Sequence, residues 1–197
     1  MGKFEADRFN GFIKSGLVKG LYEDLRKCLL HNERDVHAVA YGYIRKFLGR
    51  KGRDRLIVRC DATLKGPGSQ RPRPDLVVFN QRKPIYAVEF KVFPKIVGVN
   101  RAAVEKAVEK DVRKLEVLGR RHGLSYGFLV VVYDSENELY LPDRVLRKRD
   151  IKRVSVIEIN MRFDVKTFRQ RRNYEVWRKQ FDAIWEAQRN GGLERCA

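Results

Sequence analysis

The sequence lacks the features that identify secreted, metal-cluster and membrane proteins. It has only three cysteines, Cys28, Cys60 and Cys196, and an odd number of thiols without metal-site spacing is typical of reduced cysteines inside the cell. Its longest uninterrupted apolar run, 128–133, is far shorter than the ~20 residues of a membrane-spanning helix. Residues 1–30 are charged throughout, which argues against a secretory signal. We therefore expect a cytoplasmic, intracellular protein with no membrane partner.

Acidic residues are also in short supply. The chain has 43 Lys and Arg residues against 25 Asp and Glu residues, which gives a formal net charge of +18 at pH 7. A monomeric metabolic enzyme has no need of this charge, whereas Lys and Arg bind polyanions by displacing counterions from phosphates. An anionic membrane surface is the alternative, but the sequence shows no basic amphipathic helix with a clean apolar face beside a lipid anchor. The charge therefore indicates a nucleic-acid partner.

The length and the apolar content fit one compact domain. The 197 residues are 43% hydrophobic, which is enough for a sizeable core. Periodic patterns divide the chain into helices and strands. Helices are predicted over 3–30 (as two short helices or one irregular helix), 32–49, 101–121 and 165–190, and strands over 54–63, 76–79, 85–93, 128–133 and 154–159.

Residues 74–93 carry charges inside a predicted hairpin. Polar, Pro-containing residues 81–84 divide the segment into two β-rich runs, a pattern that predicts two antiparallel strands. Asp75 opens the first strand, and Glu89 and Lys91 interrupt the second. Because successive side chains of a strand point to opposite faces, Glu89 and Lys91 share one face of the sheet.

The register of this hairpin decides whether the carboxylates meet. The alternation also puts Ile85 on the face of Glu89. If Phe79 pairs with Ile85, the antiparallel register puts Asp75 opposite Glu89. Two carboxylates and the ammonium of Lys91 would then converge at one spot on the sheet.

This combination of charges suits a hard divalent cation. Two carboxylate oxygens bind Mg²⁺, which keeps several waters and accepts phosphate oxygens. A Lys beside the cation can orient or deprotonate water and stabilise charge on a phosphate. The alternative is a hairpin with a purely structural Glu89–Lys91 ion pair on a solvated face.

The pattern Pro74-Asp75, thirteen residues, Glu89-Phe90-Lys91 resembles the signature of the PD-(D/E)xK nuclease superfamily, which includes restriction endonucleases and archaeal Holliday-junction resolvases. The resemblance implies an α/β, restriction-endonuclease-like fold with an αβββαβ core and a mixed central sheet flanked by helices. It covers about residues 30–135. The chain would then be a single domain, 1–197, with helical additions over 1–30 and 160–197.

The resemblance also implies the parts of an active site. Mg²⁺ or Mn²⁺ would be held by Asp75, Glu89 and the main-chain carbonyl of Phe90, while Lys91 would position a water and stabilise charge in the transition state. In this superfamily a helix Glu ahead of the first strand often joins the metal site, and Glu33 is the best match here. Alternatively, Glu33 only favours the positive end of the helix dipole.

Two further helical residues lie near the predicted site. Asp111 falls on the apolar side of helix 101–121, so we expect it to have an ion-pair or hydrogen-bond partner. The string Asp111-x-x-Lys114-Leu115 also resembles a recurring helix pattern of the superfamily, for which we expect a structural rather than a catalytic role. His37 lies one turn after Glu33, so one interpretation is that it approaches the site; the favoured interpretation is an ordinary helix residue.

Basic residues cluster at 45–55, 65–73, 144–153 and 166–172. One of these clusters leads directly into Asp75, which favours a surface that follows phosphates. No helix-turn-helix, zinc-finger or RNA-binding motif stands out, so binding should follow backbone and shape rather than base sequence. The residues predicted to contact nucleic acid are Lys65, Arg71, Arg73, Arg147, Lys148 and Arg149.

Together these patterns predict a metal-dependent endonuclease that acts on DNA in preference to RNA. The alternative is a non-enzymatic nucleic-acid-binding protein that retains a nuclease fold. Proteins of this fold often pair two active sites across a two-fold axis, so we also expect a homodimer, with the terminal segments as its interface.

Overall fold

The computed structural model of the chain describes residues 3–26, 33–49, 56–68, 71–93, 101–133 and 154–160. Helices and strands are both prominent, so the fold belongs to the α/β class. The elements in chain order are helix α1 (Lys3–Gly11), a π-helical segment (Phe12–Leu17), helices α2 (Val18–Arg26) and α3 (Glu33–Leu48), strands β1 (Leu56–Cys60), β2 (Leu76–Asn80) and β3 (Lys83–Phe93), helix α4 (Arg101–His122), and strands β4 (Tyr126–Tyr133) and β5 (Val154–Asn160).

These strands form one mixed sheet in the order β1-β2-β3-β4-β5. The first three strands pair antiparallel, and the last three pair parallel. A two-residue turn, Gln81-Arg82, joins β2 to β3, and Gln81 has the positive φ of 55° that favoured hairpin turns use. Helix α4 carries the chain from β3 to β4, as a parallel pair requires.

Different helices cover the two faces of the sheet. Along β3, Tyr86, Val88 and Phe90 belong to the core that α1, α2 and α3 bury. Ala87, between them in sequence, belongs to the core under α4. The ring of Phe9 stacks on Tyr86 with centroids 4.1 Å apart. Burying large apolar side chains in this way stabilises the layers by about 1.5–3 kcal/mol each.

The predicted α/β class and the mixed sheet flanked by helices are confirmed. Strand β1 is shorter than the predicted 54–63, because Asp61 has a positive φ of 47° and ends the strand at Cys60. The N-terminal helix is irregular, as expected, since α1 continues into α2 through the π-helical segment. No helix among the described ranges is long and apolar enough to cross a membrane.

Some predictions concern parts of the chain outside the described residues. They include the helix over 165–190 and the basic residues Arg147, Lys148 and Arg149. The division into a core over 30–135 with terminal additions stays a prediction.

Candidate functional site

The hairpin of β2 and β3 brings Asp75 to β3. Leu76 pairs with Val88 and Val78 with Tyr86, so this part of the predicted register is confirmed. Asp75 lies in the bend just before β2. Its carboxylate accepts a hydrogen bond from the Phe90 N–H, with 2.7 Å between Oδ2 and N.

The tip of the hairpin differs from the prediction. Phe79 pairs with Pro84 rather than with Ile85, and the register shifts by one residue between Val78 and Phe79. Pro84 has no N–H to donate, so the ladder is irregular here and a bulge absorbs Ile85. The predicted Phe79–Ile85 pair is therefore wrong, and Ile85 packs in the core of α1 to α3 instead of on the face of Glu89.

Asp75 is held by groups on both sides of it. Besides the bond from Phe90, the Nε2 atom of His37 on α3 lies 3.4 Å from Oδ2. Burial raises the pKa of the Asp75 carboxyl, but the interaction with His37 and the Phe90 N–H together lower it below its ordinary value. Asp75 is therefore ionised at neutral pH. The interpretation of His37 as an ordinary helix residue is wrong, because its ring contacts the site.

Glu89 is the most deeply buried charged residue among the described segments, with 2% of its surface exposed. Its Oε1 atom forms an ion pair with Lys114 of α4, 2.7 Å from Nζ. Burial and then the negative charge of Asp75 raise the pKa of Glu89 to about 8, in spite of Lys114. In the metal-free protein Glu89 therefore tends to hold a proton at neutral pH.

Lys91 lies on the same face of β3 as Glu89 but has a different partner. Its Nζ atom is 3.6 Å from Oδ2 of Asp111. Burial lowers the pKa of Lys91, but the charges of Glu33, Asp111 and Asp75 raise it above its ordinary value. In the metal-free protein Lys91 is therefore protonated at neutral pH and can stabilise negative charge.

Asp111 and Glu89 each have a cationic partner, and the two partners differ. The expected partner of Asp111 exists, since Asp111 is 8% exposed and contacts Lys91. The alternative of a structural Glu89–Lys91 pair on a solvated face is wrong, because Glu89 is buried and pairs with Lys114.

Lys114 joins three parts of the site. In addition to Glu89, its Nζ atom lies 4.0 Å from Oδ1 of Asp111, three residues earlier on α4. It also donates to the main-chain carbonyl of Arg73, at 3.4 Å, in the loop that leads into Asp75. The spacing of Asp111 and Lys114 in the sequence does not predict the contact between Lys114 and Glu89.

Glu33, the first residue of α3, lies at the end of the site nearest the carboxyl end of β3. Its Oε2 atom accepts a long hydrogen bond, 3.4 Å, from the N–H of Val92. Its charge contributes most to raising the pKa of Lys91. The first turn of α3 therefore points at the strand that carries Glu89 and Lys91, as predicted from its position in the sequence.

The two carboxylates fit a divalent cation. Asp75 is ionised, Glu89 is buried beside it, and the mutual repulsion that raises the pKa of Glu89 is what a shared cation would relieve. Among the described residues, no three His, Cys, Asp or Glu side chains form a group that could hold a metal ion. Mg²⁺ does not need one, since it is usually bound by one or two carboxylates and keeps several waters. The ligand role of the Phe90 carbonyl stays a prediction.

The predicted nucleic-acid contacts that the structure describes lie on the loop between β1 and β2. Lys65, Arg71 and Arg73 are all exposed. The Arg73 Nε–H donates to Oγ1 of Thr63 at 3.1 Å, and the Lys65 carbonyl lies 2.8 Å from Nε2 of His122 at the end of α4. The loop is therefore fixed against α4 beside the site.

Comparisons with known proteins identify no family. No protein-family model and no curated protein matches the chain. A solved structure described as a half-complex from the tetradecameric assembly of Thermococcus gammatolerans McrB AAA+ hexamers with bound McrC is similar over 74% of this chain and 33% of the matched chain, with 18% identity and a TM-score of 0.30. The chain thus spans about a third of the matched chain's length, and a TM-score of this size identifies neither fold nor function.

Proposed function

We propose that this chain is a metal-dependent nuclease that hydrolyses phosphodiester bonds in DNA, at a site built on Asp75, Glu89 and Lys91. The observation that carries the proposal is the buried carboxyl group of Glu89 beside the half-buried, ionised Asp75. Glu89 is 2% exposed, and burial together with the charge of Asp75 raises its pKa. A buried group of like charges opposes folding, and such groups with perturbed pKa values cluster at functional sites.

The order of the elements supports a restriction-endonuclease-like fold and membership of the PD-(D/E)xK superfamily. From α3 to β4 the order is helix, three strands, helix, strand, which is the αβββαβ order that the resemblance implies. Asp75 precedes the second of these strands, and Glu89 and Lys91 lie on the third. The position of the signature residues on two neighbouring strands supports the proposed membership.

In this proposal Asp75, Glu89 and the Phe90 carbonyl would hold Mg²⁺ or Mn²⁺, and Glu33, which accepts a hydrogen bond from the Val92 N–H, would join them from the end of β3. When bound, the cation supplies a Lewis acid that polarises a phosphate oxygen and lowers the pKa of a water molecule. The His37 ring and the Phe90 N–H keep the Asp75 carboxylate in one orientation. Orientation of this kind is how surrounding groups tune a metal ligand.

The two lysines have separate tasks. Lys91, held by Asp111, stays protonated, so it orients water and stabilises the negative charge that develops on the phosphate. Lys114, 2.7 Å from Oε1 of Glu89, balances the charge of Glu89 when that carboxyl group loses its proton.

One observation favours the alternative function, a nucleic-acid-binding protein without activity. Lys114 already gives the Glu89 carboxylate a cationic partner at 2.7 Å, so the site can be neutralised without a metal. If so, Mg²⁺ would not change the melting temperature of the wild-type protein, whereas a true metal site predicts a rise that increases with Mg²⁺ concentration. Pairing of two copies as a homodimer stays a prediction.

Cleavage assays test the proposed function. The full-length protein is incubated with end-labelled duplex, single-stranded, flap and four-way-junction DNA and with RNA, in Mg²⁺, in Mn²⁺ and in EDTA. We expect cleavage of DNA that needs a divalent cation. Absence of cleavage on every substrate, together with tight binding to the same substrates, would favour the alternative.

A further inference from the structure

A groove with a volume of about 940 Å³ lies between helix α4 and the loop that leads into Asp75. One wall is formed by Arg71 and Pro72, and the other by the side of α4 from Lys106 to Val117. This stretch of helix is about 16 Å long at 1.5 Å per residue. We refer to this feature as the α4 groove.

Positive charge dominates the lining of the α4 groove. Its cationic residues are Arg71, Lys106, Lys110, Arg113 and Lys114. The acidic residue in the lining, Glu109, is 3.5 Å from Arg113 and is balanced by it. Lys106, Lys110 and Lys114 follow one another at four-residue intervals, so they form a row along the helix with about 6 Å between turns. A row of this kind suits a chain of phosphates.

Part of the lining of the α4 groove is apolar. Pro72, Ala107 and Val117 line it, and each of them is only partly buried. Cations therefore stand beside a partly exposed apolar surface. A ligand that carries both negative charge and flat apolar groups would cover both.

The α4 groove adjoins the candidate site at Lys114. Lys114 belongs to the lining and also forms the ion pair with Oε1 of Glu89, at 2.7 Å. The carbonyl of Arg73, which follows Pro72, accepts a hydrogen bond from the same ammonium. A chain lying in the groove would therefore contact Lys114, the direct partner of Glu89.

We propose that the α4 groove binds a single strand of nucleic acid and leads its backbone to Asp75 and Glu89. This inference rests on the proposed function, because it takes the substrate to be a nucleic acid. A duplex presents phosphates on its outside and keeps its bases stacked within, so it would leave the apolar residues of the lining without a partner. A single strand has free bases that cover Pro72, Ala107 and Val117 while its phosphates meet the lysines.

The test compares two triple variants that lose the same charge. The groove variant is Arg71→Ala, Lys106→Ala, Lys110→Ala, which changes exposed residues on both walls and spares Lys114. The matched control is Lys14→Ala, Lys19→Ala, Arg82→Ala, which changes exposed residues on the opposite helices and on the hairpin turn. Fluorescence anisotropy of labelled oligothymidylate, oligouridylate and a blunt duplex is measured in EDTA at several salt concentrations.

We expect the wild-type protein to bind a single strand more tightly than the duplex. The groove variant should lose about tenfold or more of that affinity, and its slope of log K against log salt should fall by about 2, since each lost contact with a single strand removes about 0.7. The control should stay within about twofold of the wild type. The two oligonucleotides show whether DNA or RNA is held.

Equal losses in the groove variant and the control would overturn the inference, because they would reflect net charge alone. Tighter binding of the duplex, unaffected by the groove substitutions, would overturn it as well. Binding is measured without metal, so the outcome does not depend on catalysis. If the groove variant does not bind and the wild type does not cleave in Mg²⁺, only the proposed function is refuted. If both triple variants cleave a duplex equally, only the groove inference is refuted.

Discussion

Replacing Glu89 with Gln is expected to stabilise the metal-free protein at alkaline pH. Burial and the charge of Asp75 raise the pKa of Glu89 from 4.5 to about 8. Between these values the folded protein keeps a proton that the unfolded chain releases, so the free energy of unfolding falls as the pH rises. The stability that this retained proton gives the folded protein is fully present below about pH 4.5 and is lost above about pH 8. Gln cannot ionise, so the variant avoids this loss.

The size of the effect follows from the pKa change. One pKa unit corresponds to about 1.4 kcal/mol, so a rise from 4.5 to about 8 corresponds to about 5 kcal/mol. This is an upper limit, because the amide gives up the ion pair with Lys114. We expect a net gain of about 2–4 kcal/mol above pH 8.

Urea unfolding in EDTA across this pH range measures the difference directly. The stability curves of the wild type and of Glu89→Gln should diverge with rising pH. A suitable control is Glu109→Gln, which changes a more exposed carboxylate of α4 that pairs with Arg113, and its difference from wild type should not grow with pH. Parallel curves for the wild type and Glu89→Gln would refute a raised pKa of Glu89 in the folded protein.

Three further substitutions examine the neighbours of the carboxylates. Lys91→Ala is expected to abolish Mg²⁺-dependent cleavage while leaving the Mg²⁺-induced rise in melting temperature, since the ammonium is not a ligand; retained cleavage would exclude Lys91 from the reaction. Glu33→Gln should weaken cleavage strongly and alter the unfolding free energy little, whereas full activity with a loss of about 0.3–1 kcal/mol would leave Glu33 only a helix-dipole role. His37→Gln should raise the pKa of Asp75, because His37 counters the effect of burial there. On acidification, the stability that ionised Asp75 provides would then be lost at a higher pH than in the wild type. Urea unfolding measures this loss, and an unchanged stability curve at acidic pH would count against the contact between His37 and Asp75.

Much of the site could be predicted from the sequence because strand geometry is local. The alternation of side chains is a property of the backbone, so Glu89 and Lys91 had to share a face once β3 was recognised. The register of an antiparallel hairpin follows from its hydrophobic pattern and its turn, which brought Asp75 to the same place. Even here the bulge at Ile85 was missed, since Pro84 lies inside β3 rather than in the turn.

The contacts between layers could not be predicted in the same way. Whether Lys114 meets Glu89, or His37 meets Asp75, depends on how α4 and α3 are rotated and shifted against the sheet. Those quantities are set by packing of the whole core, for which the sequence gives only the apolar face of each helix. The spacing of Asp111 and Lys114 showed that they share a face, but not which strand residue each would pair with.

The proposed role of Asp75 in metal-dependent hydrolysis can be tested on three proteins. Cleavage in Mg²⁺ and binding in EDTA are measured for the wild type, for Asp75→Asn and for the control Asp61→Asn. Asp61 is an exposed residue of the same loop, and its backbone N–H, which donates to the Asp75 carbonyl, is kept in the control.

We predict that Asp75→Asn loses about a hundredfold or more in cleavage rate, since a metal site contributes several kcal/mol to the transition state. Its binding should stay close to that of the wild type, because the affinity comes from dispersed Lys and Arg. Asp61→Asn should cleave like the wild type. Cleavage by Asp75→Asn at the wild-type rate, or no cation-dependent cleavage by the wild type, would contradict the account.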